Sequence, residues 1–328
     1  MGEMTSHQQA PAGGGSLLYA QLAAGMIVFG SATPVSKLVT DAMPVFIGSG
    51  LRVAVGALAL APFVSDWSLL RRMSRRDWAL VLVIAVFGMF GFSALLLLGM
   101  RMISGVYGAV VMATTPAVTA MAAVLFLGER PTWRRIAALA LAVGGVLILQ
   151  VTGAGGGGGV AADRAASDPL TRVIAGLPSS TLLGMAFVFG AVCCEAVYTL
   201  VGRRMSRALD PILVAFLAAA LSLPLFLPLA LLQWPSFDVS ATGWQGWVSV
   251  LWYGAGTLAL GSWLWYAAIT RTPGSVAAAF MGLMPVSALV LSYVLLGEPF
   301  HPVHLAGFAT VFAGVLLMSW EHARMSED

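Results

Sequence analysis

Charge is scarce in this chain. Asp, Glu, Lys and Arg make up 9% of its 328 residues against 59% hydrophobic, and the mean hydropathy is +0.91. One soluble core cannot bury that much apolar surface, and a lipid solvent removes the need. Cysteine is nearly absent: Cys193 and Cys194 are adjacent, too constrained for an ordinary disulfide, and read as small packing residues. The four histidines, His7, His301, His304 and His322, fall in tails or a loop without metal-site companions, so neither a metal nor a cofactor is expected. The glycine run "TGAGGGGGV" lacks the Lys-Ser/Thr of a phosphate loop and leads into no helix, which argues against ATP as the driving force. A sequence pI near 9.1 reflects loop arginines, and nucleic acid is not an expected partner.

What the chain has is long apolar runs. A helix needs about 20 mostly apolar residues to cross the hydrocarbon layer. Ten stretches qualify: 17–39, 44–64, 78–99, 104–127, 132–151, 181–202, 211–232, 246–269, 275–296 and 303–320. They are continuous, whereas a β-barrel needs short alternating segments. The expected fold is an all-α polytopic membrane protein. The opening "MGEMTSHQQAPAGGGS" lacks the basic region and cleavage site of a signal peptide, so the first helix is expected to be retained. The Gly- and Ala-rich stretch from Thr152 to Ser180 reads as a flexible linker.

The positive charges set the orientation. With the N-terminus cytoplasmic, the inner side holds twelve: Arg71, Arg72, Arg75, Arg76, Arg130, Arg134, Arg135, Arg203, Arg204, Arg207, Arg271 and Arg324. The outer side holds Lys37, Arg101, Arg164 and Arg172, and Arg52 lies inside the second helix. The positive-inside bias therefore places both termini in the cytoplasm.

One phrase occurs twice. "TPAVTAMAAVLFLGERPT" starts at Thr115 and "MPVSALVLSYVLLGEPFH" at Met284. A shift of 169 pairs Gly105 with Gly274, Ala109 with Ala278, Met112 with Met281 and Pro116 with Pro285. The same shift pairs Gly128-Glu129 with Gly297-Glu298, then Gly145-Val146-Leu147 with Gly314-Val315-Leu316. Five helices per half is an odd number, so the second half enters the membrane in the opposite sense. The arrangement read from this is ten transmembrane helices as two inverted five-helix repeats: a tail at 1–16, repeats at 17–151 and 181–320 joined by the 152–180 linker, and a tail at 321–328. Inverted repeats belong to secondary transporters, which bind substrate near mid-membrane between the halves.

The phrases "LGERPTWRRIAALALAVGGVLIL" and "LGEPFHPVHLAGFATVFAGVLL" resemble the two EamA repeats of the drug/metabolite transporter superfamily. "FGSATPVSKLV" with "LRVAVGALAL", and "CCEAVYTLVGRR", resemble the starts of the repeats. The resemblance spans about residues 17 to 320. It implies a ten-helix carrier of the inner membrane with a cavity lined mainly by helices 1 to 4 and 6 to 9, and with helices 5 and 10 at the periphery. Members export amino acids and related metabolites, and others move sugars, nucleosides or drugs. Glu195 departs from the pattern, standing where an aromatic residue usually precedes Ala.

Three kinds of residue are candidates for a site. Pro34, Pro116 and Pro285 lack an amide proton, so they free the carbonyls of Gly30, Met112 and Met281. Each freed oxygen either accepts from a bound ammonium group or merely marks a kink, since irregular backbone is tolerated where it faces protein or a wet cavity. Ionisable residues inside the membrane are functional by default, and these are Glu195 and Arg52. At about 1.5 Å of rise per residue they differ in depth by roughly 9 Å. That leaves two readings open, an ion pair or separate roles with Glu195 as a substrate contact. Helical spacing puts Tyr198 and Thr199 on the face of Glu195, and a shift of 166 places Phe29 and Thr33 at the matching positions of the first half. Trp263 and Tyr266 gate the cavity or belong to an aromatic interface belt. Ser31, Thr114 and Thr115 are weaker candidates, because such residues often bond their own helix. Glu129 and Glu298 are expected to be structural, favouring the positive end of the helix that follows each.

The expected activity is secondary export of small metabolites, chiefly amino acids, with drug or nucleoside export, a passive channel or an intramembrane enzyme as alternatives. An enzyme would need several polar groups at one depth, which the sequence does not offer. The expected partners are a small-molecule substrate and the lipid bilayer; the sequence leaves the oligomeric state open, with a monomer among the options. The topology predicts that a cysteine introduced between Thr152 and Ser180 reacts with an impermeant thiol reagent from the outside of intact cells. Labelling from the cytoplasmic side alone overturns the inverted arrangement.

Overall fold

The computed structural model describes residues 14–128, 132–151, 180–202, 204, 205, 209–269, 271, 272, 276 and 280–325, and among these every regular element is helical. The expected linker from 152 to 179, with Glu129, Pro131, Gly274 and Ala278 of the repeat, lies outside the described residues. The elements are α1 (Gly14–Gly30), α2 (Ala32–Ala42), α3 (Val45–Leu60), α4 (Arg75–Val83), α5 (Phe92–Met102), α6 (Gly105–Met112), α7 (Thr115–Leu127) and α8 (Trp133–Val151). They continue with α9 (Ser180–Gly202), α10 (Pro211–Gln233), α11 (Trp244–Leu251), α12 (Gly261–Ile269), α13 (Leu283–Leu296) and α14 (Pro302–Met325).

Among the described residues six runs are long and apolar enough to cross a membrane: Leu17–Ala42, Val45–Phe63, Arg75–Met102, Gly105–Phe126, Thr181–Gly202 and Pro211–Ser236. Leu283–Leu296 and Pro302–Leu317 are shorter apolar helices.

Proline shapes two of the long runs as the sequence suggests. α1 gives way to α2 at Gly30–Ser31, and Ser31 Oγ donates to Val28 O at 2.6 Å. α6 gives way to α7 at Ala113–Thr114, with Thr114 Oγ1 on Val111 O at 2.7 Å. The linking residues keep near-helical dihedrals, so both breaks are kinks rather than unwound stretches. Two other runs widen: Ile84–Gly91, between α4 and α5, and Trp252–Leu260, between α11 and α12, follow an i→i+5 pattern. Such widening turns the following side chains to new directions. The two wide segments lie 168 residues apart at their starts and 169 at their ends, close to the register read from the sequence.

Glycines let the helices approach closely, as packing in lipid favours. A side-chain carbon on Gly30 would collide with Ser287 Oγ and the Met284 carbonyl, so α1 and α13 touch backbone to side chain there. Gly99 faces Val188 and Gly184 across the α5–α9 seam. α8 and α14 pack mainly against each other: Gly145 meets Gly307 and Val311, while Gly314 meets Ala138 and Leu141. Gly128 and Gly297 end α7 and α13 in the left-handed region, at φ 67° and 63°. There a glycine avoids the clash that other residues meet.

At the polar ends side chains take over the helix amides. Asp66 caps the short turn Trp67–Arg72, and hydrogen bonds from Ser68 hold its carboxyl below the usual carboxylate range. Ser74 and Asp77 form a capping box at the start of α4. Glu298 differs from its expected role: its carboxylate accepts from Gly105 N at 2.5 Å and Val106 N at 3.0 Å. It thus caps α6, in the other half of the chain, instead of the helix that follows it. Two unsatisfied amides at a positive helix end outcompete its own neighbours. Glu298→Ala should therefore lower the stability of the protein by about 1–2 kcal/mol, read as a drop in its thermal midpoint in detergent. An unchanged midpoint contradicts the cap.

Candidate functional site

Glu195, Thr115, Tyr198 and Tyr266 gather where α9 meets α7 and α12. α9 runs antiparallel along α5 and the wide segment before it. A carbon on Gly88 would come within 3.0 Å of the Tyr198 ring, and one on Gly91 within 3.0 Å of Cys194 Sγ, so glycines on one side seat large groups on the other. Cys193 is exposed and Cys194 buried, both free thiols.

Glu195, half-buried, turns toward α7. Its Oε2 lies 3.2 Å from Thr115 Oγ1, and the same hydroxyl donates to Met112 O at 2.8 Å. Met112 O is the carbonyl that Pro116 frees, so the kink and the acid share one partner. That hydroxyl carries a single proton for two acceptors. One acceptor is left for a donor from elsewhere. A turn further along α9, Tyr198 Oη meets Tyr266 Oη at 3.3 Å, joining α9 to α12. Thr115, ranked low by the sequence because it could bond its own helix, does so and still reaches Glu195.

The remaining expected residues disperse. Thr199 is exposed, and its hydroxyl returns to the Glu195 carbonyl at 3.0 Å. Phe29 is half-buried with its ring against Gly261, and Thr33 is buried with its methyl beside Gly108. Met112 is buried, whereas its repeat partner Met281 is 53% exposed. Pro34 and Pro285 are buried in their helices. Trp263 is 37% exposed and faces Phe63, with ring centroids 6.0 Å apart. It lies one turn before Tyr266 on α12. Ser31 has a partner that the sequence gave no sign of, since Trp252 Nε1 donates to its Oγ at 2.9 Å.

The possible ion pair between Arg52 and Glu195 does not form. Arg52 is buried, bonds Ser93 Oγ and lies over the Tyr253 ring at 4.4 Å and the Phe92 ring at 5.5 Å. Lys37 pairs with Asp41 at 3.7 Å, one turn apart on α2. Wide winding before Phe92 and around Tyr253 presents a hydroxyl and two ring faces to the guanidinium, and helical periodicity alone did not place them there. His304 is also unlike its expectation: it is buried on α14 and its Nδ1 meets Tyr293 Oη at 3.0 Å. Among the described residues no cluster of three or more His, Cys, Asp or Glu could hold a metal.

Comparison with known proteins matches this chain twice to the EamA-like transporter family, over residues 16–151 and 182–320. It is similar to the uncharacterized transporter YetK of Bacillus subtilis (strain 168), 30% identical over 300 residues that cover 91% of this chain and 86% of the relative. It is also similar to a "probable terminal-alkyne amino-acid exporter" of Streptantibioticus cattleyicolor, 27% identical over 294 residues, 90% of each chain. A protein of known crystal structure superposes on 95% of this chain and 99% of its own at 16% identity and a TM-score of 0.59, a likeness of fold alone.

Proposed function

The chain belongs to the EamA-like transporter family, and on that premise we propose that it is a secondary carrier that exports amino acids across the inner membrane by alternating access. As a multi-pass membrane transporter it works on a small molecule within lipid. The amino-acid reading rests on the group of acceptors around Thr115. Glu195 and the Met112 carbonyl compete for one hydroxyl proton. A substrate ammonium brings three N–H donors and a positive charge, and satisfies both. The half-buried aromatic and aliphatic surroundings, Tyr198 and Tyr266 among them, suit an apolar or aromatic side chain on that substrate. Similarity to an amino-acid exporter points the same way.

The reading of ten helices in two inverted repeats, with both termini cytoplasmic, draws support from a reciprocal contact. Under the shift of 169, Gly145 corresponds to Gly314 and Ala138 to Gly307. α8 and α14 meet through Gly145 on Gly307 and Gly314 on Ala138. Each contact is thus the repeat counterpart of the other, the pattern a two-fold axis between the halves produces. An axis of this kind in the membrane plane lets one half rock against the other around a fixed site. The repeats on this reading span 17–151 and 181–320.

Glu195 serves here as a substrate contact in gradient-driven export. Counterflow in proteoliposomes tests this: labelled phenylalanine should enter against unlabelled phenylalanine, and Glu195→Gln should slow exchange about tenfold or more. If Glu195 instead couples protons, the variant keeps equilibrative exchange and loses only accumulation driven by a pH gradient. Parent protein that exchanges no amino acid, and gives cells no resistance to toxic amino-acid analogues, overturns the substrate class and leaves drugs or nucleosides. Simple equilibration without exchange identifies a pore.

A further inference from the structure

A second polar cluster lies between α3, α5 and the wide segment Trp252–Leu260. Ser49 and Arg52 are buried one turn apart on one face of α3. Arg52 reaches Ser93 at the start of α5 and stacks over Tyr253. Ser93 and Tyr253 are buried as well.

The cluster holds more donors than its acceptors serve. Ser49 Oγ, Arg52 Nε and Tyr253 Oη are buried without a hydrogen-bond partner. Ser93 Oγ accepts from Arg52, and its own proton meets no acceptor among the described residues. Other buried hydroxyls behave differently: Ser36, Thr114, Ser222 and Ser292 each donate to a carbonyl one turn back. Four unserved donors, one on a full positive charge, are costly in a medium without water. The ring faces of Tyr253 and Phe92 attract the guanidinium but accept no conventional hydrogen bond from it. Glu195, the one carboxylate within the apolar runs, bonds Thr115 instead.

From this surplus we propose that Ser49, Arg52, Ser93 and Tyr253 form a buried subsite for a carboxylate group. The inference rests on the amino-acid reading above, in which the carboxylate is the substrate's own. The depth agrees with it. Gly91 faces Cys194 and Gly190 faces Leu95, so Ser93 stands level with about residue 192 of α9. Glu195 lies about three residues further, about 4.5 Å of helix rise. A donor cluster and an acceptor cluster thus occupy neighbouring depths, matching the two charges of a zwitterion.

The test uses the whole purified protein in lipid nanodiscs and follows thermal unfolding with three probes. These are phenylalanine, phenylalaninamide, which keeps ring and ammonium but has no carboxylate, and acetate. Phenylalanine should protect the parent at about tenfold lower concentration than the amide, and Arg52→Gln should erase that difference. Tyr253→Phe and Ser49→Ala keep the buried charge and should each narrow it, so the test stands even where Arg52→Gln does not fold. Protection by acetate alone that depends on Arg52 supports the subsite and assigns it to a free anion. If acetate protects through Arg52 while phenylalanine neither binds nor exchanges, the subsite stands and the amino-acid reading falls. Equal protection by phenylalanine and its amide, a difference undiminished in the variants, or no response to any probe overturns the subsite.

Discussion

Every donor and acceptor inside a bilayer has to be served by the protein or by what the protein holds, and the architecture follows from that requirement. Helices serve most of the backbone, so the described elements are all helical. Each proline removes one amide donor, and at Pro116 the gap is filled by the hydroxyl of Thr115 on the Met112 carbonyl. The same hydroxyl reaches the acid on the neighbouring helix. Local backbone repair and the candidate binding chemistry therefore involve the same atom. At the helix ends, where the repair cannot come from within, carboxylates supply it: Asp66, Asp77, Asp210 and Glu298 all accept from terminal amides or the residues beside them.

Close approach is the second requirement, because lipid gives no strong push to helices already wrapped in hydrocarbon. Gly30, Gly99, Gly145 and Gly254 sit where a side-chain carbon would strike the backbone of the facing helix. The seams they make fix the register between helices. That register decides that Glu195 faces Thr115 and Arg52 faces Ser93, each with its own partners.

Much of this was legible in the sequence. Long apolar runs and the prolines announced the helices and the kinks, because each depends on local chemistry. Glu195 and Arg52 stood out as charges in apolar surroundings. What the sequence hid depends on winding and on contact across the chain. The i→i+5 segments carry no sequence mark, so the meeting of Arg52 with Tyr253 and the bond from Trp252 to Ser31 could not be anticipated from spacing. Glu298 was read for its nearest helix, yet its partner lies 193 residues away along the chain. Met281 was paired with Met112 by register and emerges exposed, since equal position in a repeat does not ensure equal surroundings.

The reciprocal contact of α8 with α14 also bears on how such a chain can change over time. Gly145 rests on Gly307, and Gly314 on Ala138, so each enlargement on one helix is felt directly by the other. Divergence of the two halves is therefore coupled along this seam, where a change in one tract is tolerated chiefly when its opposite number shrinks. Away from this seam the halves differ: Phe29 and Glu195, which correspond under the shift of 166, are an aromatic ring and an acid. The seam between α8 and α14 thus joins small residue to small residue from both sides, a match that leaves little room for either helix to change alone.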